Sequence, residues 1–193
     1  MNESDYNHIP IDKVAENIVD LTMSMTNFWR SPIGWAPVEA AQLLSKSRLD
    51  WQLSIAKCLQ SSVINSASYQ SPGNLIINWT ILGCLVEGTL KLFLSVYYKD
   101  YSKDVDAIRK RGDLVDPDIL CLEALRQFYE KRIWVSGEKW DSWIRHIQYR
   151  RNAIHAFADR DIGSSDEFLD DVRTYLTFIE EIDSRLPYPD NCL

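Results

Sequence analysis

The sequence predicts an all-α fold, an antiparallel helical bundle of about six helices, and three observations support this. Apolar residues recur three and four positions apart along most of the chain, the repeat of a helix with one buried stripe. Cap-plus-proline and capping-box signals punctuate those stretches. No run of strand length alternates apolar with polar residues, and no internal repeat or low-complexity tract interrupts the pattern. Short connections between consecutive helices make antiparallel neighbours. At 193 residues the chain reads as one domain over 1–193, long enough for a sizeable core.

The first helix covers residues 11 to about 27, with Val14, Ile18, Leu21 and Met25 on one face. Residues 1–10 are polar and acidic and read as a flexible tail. The loop from Trp29 through Pro32 and Gly34 cannot continue that helix, whereas Pro37 suits the first position of the next one. From there Leu44, Trp51, Ile55, Cys58 and Leu59 carry a stripe to about Ser62. Ser71-Pro72-Gly73 supplies an N-cap and a proline at N1 for a third helix, residues 75 to about 99. It is apolar on nearly all sides, so it belongs at the centre of the bundle, with Glu87 paired to Lys91. Its uncharged part, residues 75–86, falls short of the ~18 residues of a membrane span.

Residues 99–115 read as a short helix or a mobile loop. Asp116-Pro117 repeats the cap signal ahead of Leu122, Leu125, Phe128, Tyr129 and Ile133. Ser136-Gly137 then breaks the chain before a helix whose inner face is Trp140, Trp143, Ile144, Ile147 and Ile154. Ser164 with Glu167 forms a capping-box pattern, and Phe168, Val172, Tyr175, Leu176, Ile179, Ile182 and Leu186 follow at helical spacing up to Pro187.

A net charge of −7 argues against a general nucleic-acid coating protein. The charge is uneven, however. Residues 139–160 hold five cations against Asp141 and Asp159, a local +3 that leaves −10 on the rest. Such a site on an acidic body fits selective phosphate binding. Cys58, Cys84, Cys121 and Cys192 form no CxxC pair and read as reduced, buried cysteines of a cytoplasmic protein. The N-terminus lacks the basic and apolar regions of a signal peptide. None of the seven glycines sits in a phosphate-loop spacing, and histidine and cysteine offer no zinc spacing, so neither cofactor nor metal is expected.

The chemistry concentrates in Gln148-Tyr149-Arg150-Arg151-Asn152-Ala153-Ile154-His155-Ala156-Phe157. On a helix advancing ~100° per residue, Gln148, Arg151, Asn152 and His155 share one stripe, and Arg150 lies round the corner. Arginine binds phosphate oxygens bidentately, and histidine moves a proton near neutral pH, a minimal kit for phosphodiester chemistry. The bland alternative pairs Arg150 and Arg151 with Asp159 and Asp161 and leaves His155 as a helix end. His146 falls on the opposite flank and reads as a surface histidine.

An all-helical domain with Arg-x4-His near the start of its last helical pair resembles the HEPN superfamily (higher eukaryotes and prokaryotes nucleotide-binding). The motif covers Arg150 to His155, and the helical architecture extends the likeness to most of the chain. Family spacing aligns Arg150 with His155; the Arg-Asn pair of the family matches Arg151-Asn152 instead, so both registers stand. The resemblance implies a metal-independent endoribonuclease of toxin–antitoxin or anti-phage type. His155 would be its acid or base, Arg150 or Arg151 its phosphate ligand, and Asn152 an orienting group. It also implies a homodimer that pairs two motif helices, with the motif helix and its successor as the interface. A non-catalytic module that binds RNA, nucleotide or a protein partner is the alternative. Some relatives are silenced by adenylylation of a tyrosine two residues after the histidine. Phe157 stands there, so control by a bound antitoxin or inhibitor protein, by a fused or separate sensor, or by substrate restriction is expected.

Overall fold

The computed structural model describes residues 8–32, 36–65, 70–135, 138–157 and 159–188. It is all-α, with 73% helix and 2% strand. Eight α-helices appear among the described residues: α1 (Ile11–Trp29), α2 (Val38–Lys46), α3 (Leu49–Ile64), α4 (Pro72–Val96), α5 (Tyr98–Lys103), α6 (Leu122–Arg132), α7 (Trp140–Arg151) and α8 (Ser165–Ser184). The two beyond the expected six come from breaks. The expected second helix divides at Ser47-Arg48, where Ser47 turns to extended backbone and its hydroxyl caps the Leu44 carbonyl at 2.6 Å. The third ends at Val96, and α5 follows after one residue.

Helix α4 is the axis of the fold. Ser71 accepts from the Asn74 N–H, and Pro72 sits in the first turn, as the cap signal requires. By length and composition α4 would reach across a membrane, yet 67% of its most apolar stretch is buried inside the protein. It packs against α2, α3, α5, α6, α7 and α8. Buried polar bonds fix its neighbours: the Tyr129 hydroxyl of α6 donates to the Leu90 carbonyl at 2.7 Å, and Thr89 meets the Tyr175 hydroxyl of α8 at 3.0 Å. Paired this way, such groups hold direction as well as area.

Helices α7 and α8 run antiparallel, since Trp140 bonds Glu181 while Trp143 bonds Asp171. Helices α4 and α8 run the same way, with Trp79 against Phe168 and Thr89 against Tyr175. Arg126, almost fully buried on α6, gathers Glu123, Glu130 and Asp141 and so ties α6 to the start of α7.

Residues 99–115 are built, not loose. After α5 a two-residue hairpin pairs Arg109–Lys110 with Asp113–Leu114. Its turn places Arg111 and Gly112 at φ 56° and 96°, the double left-handed geometry that lets a two-residue loop follow strand twist. Tyr101 is buried beneath it, its hydroxyl on the Val115 carbonyl at 2.7 Å. Asp116 caps no helix, since its carboxylate accepts from Tyr98 and Pro117 opens only a 3₁₀ turn. Cys58 and Cys121 are exposed and Cys84 half-buried, contrary to the buried reading. Cys192, residues 1–7 of the expected tail, Ile33 to Trp35 and Ser136-Gly137 lie outside the described residues.

At Gly83 the axis lies against Arg151 of α7. A Cβ there would lie 2.4 Å from Cδ of Arg151 and 3.1 Å from its Cβ, an atom that cannot swing away. Gly83→Ala should therefore destabilise the fold by about 1–3 kcal/mol, the usual cost of overpacking, read as a lower urea midpoint at unchanged slope.

Candidate active site

The motif helix does not run through its motif. Helix α7 ends at Arg151, and Asn152–His155 continue as a 3₁₀ turn. Asn, Ile and His are indifferent helix formers, and tightening of the last turn is a common helix ending. Ala156 closes it in the left-handed region at φ 57°, its N–H returning to the Ala153 carbonyl at 3.0 Å. A left-handed residue ends many helices, though glycine does so without the strain that alanine carries. The single stripe drawn for a straight α-helix is thereby re-indexed. In a 3₁₀ turn residues three apart eclipse, so Asn152 and His155 stack on one edge. Ile154 is turned outward, 46% exposed, and leaves the inner face of Trp140, Trp143, Ile144 and Ile147, which stay buried.

The two arginines have separate fates. Arg150 is 6% exposed. Its Nη1 lies 2.7 Å from Asp161 and its Nη2 3.6 Å from Glu167, and the guanidinium carbon sits 6.0 Å above the Trp79 ring. Nε and Nη1 have no well-aligned hydrogen bond, so the Asp161 contact is charge against charge. Gly163, at φ 67°, makes room, because a Cβ there would lie 2.9 Å from the guanidinium. The Gly163 N–H, and after it Arg150, hold the Asp161 carboxyl below its ordinary value. Arg150 fastens the 159–164 loop, as the bland alternative had it for this residue.

Arg151 is half-buried and reaches α4, where Nη1 donates to Glu87 Oε2 at 2.7 Å. The other Glu87 oxygen lies 2.8 Å from Lys91 Nζ, the pairing expected from sequence. Burial pushes the Glu87 carboxyl up, but hydrogen bonds from Lys91 and Arg151 outweigh it and the net shift is downward. Two cations around one carboxylate leave a net positive spot with a fixed guanidinium. Burial pushes the adjacent Cys84 thiol up.

The His155 imidazole is exposed, and among the described residues neither it nor the half-buried Asn152 amide has a hydrogen-bond partner. His146 is no ordinary surface histidine. Nε2 lies 2.9 Å from Asp171, whose other oxygen accepts from Trp143, and its ring stands edge-on to Trp79 at 5.8 Å. Sequence reasoning missed this pair and the Glu87–Arg151 contact, since both join helices and leave no local periodicity. Phe157, at the position of the modifiable tyrosine, is 105% exposed. Cavities of about 260 and 470 Å³ are lined by other residues, and only Lys91 of this site touches the smaller one. Among the described residues no cluster of His, Cys, Asp and Glu is placed to hold a metal ion.

No family model, no curated protein and no solved structure matches the chain.

Arg150→Ala should lower stability by about 1–3 kcal/mol, with the 159–164 loop released. Arg151→Ala should cost at most about 1 kcal/mol, since Glu87 keeps Lys91. Urea unfolding of the two variants checks the order. The depressed Asp161 carboxyl stabilises the loop above its ordinary value of 3.8, and that contribution is lost as pH falls through its lower folded value. The Gly163 amide should follow this titration by NMR, and should cease to do so in Asp161→Asn.

Proposed function

We propose that the chain is a metal-independent endoribonuclease of HEPN type. The observation that carries this reading is an exposed, uncommitted His155 imidazole four residues after an arginine that Glu87 holds in place. Of the two registers, this favours Arg151-Asn152 with His155, because Arg150 is occupied beneath the loop. In the reaction the RNA 2′-OH loses its proton and attacks the adjacent phosphorus, and the 5′-oxygen of the next nucleotide leaves with a proton. His155 serves one of these transfers. Arg151 faces the phosphate oxygens, where negative charge grows, and Asn152, eclipsed with His155, orients the phosphate or the ring. A 2′,3′-cyclic phosphate and a 5′-OH result.

One imidazole serves one proton transfer, so a homodimer that brings a second motif is part of the proposal. The apolar faces of α7 and α8 are not free for it: Trp140, Trp143, Ile147, Phe168, Tyr175 and Phe178 are buried in the protomer's own core. Contact would use residues around the 3₁₀ turn instead. The second reading, a non-catalytic binding module controlled by or docking a protein partner, is favoured by the carboxylate partners of both arginines and by the acidic body.

The protein, freed of any inhibitor, should cleave single-stranded RNA in EDTA and leave cyclic phosphate ends. His155→Ala should slow cleavage by roughly 10²-fold or more, the scale of a lost general acid–base. Cleavage abolished by EDTA, or untouched by the substitution, counts against the reading. Light scattering at micromolar concentration should show a dimer, and a fully active monomer would remove the second copy from the mechanism.

A further inference from the structure

A fully exposed phenylalanine needs an explanation beside a candidate catalytic histidine. Burying a phenylalanine side chain stabilises a fold, and Phe157 forgoes this at 105% exposure. The backbone is set to hold it out. Ala156 takes the left-handed conformation at φ 57°, and the Phe157 N–H closes on the His155 carbonyl at 2.7 Å, so the ring leaves the turn directly after the imidazole. A non-glycine residue in that region stores strain, and such strain gathers at functional sites. Aromatic and cationic residues flank it in sequence. Tyr149, 44% exposed, carries the Arg160 guanidinium 5.3 Å above its ring, and Arg160 has no carboxylate partner among the described residues. Of the nearby acids in sequence, Asp161 is committed to Arg150.

We infer that Phe157 is a stacking platform for an unpaired base of single-stranded RNA, next to the phosphate held at His155 and Arg151. This rests on the ribonuclease reading and adds the substrate's form. Bases stack on exposed aromatic rings whatever their identity, whereas duplex RNA hides their faces. Arg160 on Tyr149 supplies the charge that a neighbouring phosphate seeks. A protein surface would also cover an apolar ring, but exposed rings with an arginine close by in sequence suit a nucleic-acid strand better. The platform makes the enzyme selective for unpaired substrate and tolerant of sequence at that position.

The test is a cycle of two changes. The wild-type cleavage position is mapped on a single-stranded oligoribonucleotide. Wild type and Phe157→Ala are then compared on that strand and on strands abasic at either flanking position. Phe157→Ala should raise KM roughly five-fold or more with kcat little changed, and one abasic strand should erase the difference. Phe157→Trp should retain wild-type KM. Wild-type cleavage with no effect of Phe157→Ala, or an effect that persists on both abasic strands, overturns the platform and leaves the ribonuclease reading standing. Conversion of a dimer to a monomer by Phe157→Ala, with no coupling to the base, overturns it too and gives the ring to a protein contact. If wild type neither binds nor cleaves RNA, the ribonuclease reading fails and the platform with it.

Discussion

The indole of Trp79 is the point on which the motif region rests. It is fully buried on α4, its N–H donates to the Ile162 carbonyl at 2.8 Å, and its ring meets His146 of α7 and Phe168 of α8 edge-on. The Arg150 guanidinium lies above the same ring. One side chain thus locates a helix, its successor and the loop between them. Edge-to-face contacts and an indole bond are directional as well as apolar, so the arrangement has a single geometry. A leucine would fill much of the volume and fix none of the angles.

Around that point the cations are sorted by partner. Arg126 is surrounded by three carboxylates, Arg150 by two, Arg151 by one that it shares with Lys91, and Arg160 by none among the described residues. The same residue type passes from fastening to availability along this series. A local charge of +3 therefore overstates what a ligand meets, because Asp161 and Glu167 offset Arg150, and Glu87 offsets part of Arg151. Buried cations without such partners would destabilise the fold.

Much of the fold is legible in the sequence because it is written in local signals. Ser71-Pro72 and Ser164 with Glu167 cap their helices as their spacing predicts, and the stripe of Phe168, Val172, Tyr175 and Ile179 is buried throughout. The breaks are less legible. Nothing in a helical period marks Ser47-Arg48, where the apolar stripe continues across the interruption. At the site, the motif's position is readable and its geometry is not. A 3₁₀ ending rotates Ile154 outward, and Glu87 finds Arg151 across 64 residues, a contact that no window of sequence contains. His146 was misjudged for the same reason, its carboxylate lying on the next helix.

The neighbouring arginines of α7 also act as a register mark. Arg150 and Arg151 stand ~100° apart, one filling a slot that only Gly163 leaves open and the other crossing a surface that only Gly83 leaves bare. A shift of the helix by a single position would seat one arginine in the other's place and set Tyr149 or Asn152 in the remaining one. Either Asp161 would then lose its guanidinium to a tyrosine, or Glu87 would face a short amide. The doubled arginine, so ambiguous as a motif, thereby satisfies both carboxylates in one seating of α7, with the imidazole of the following turn exposed.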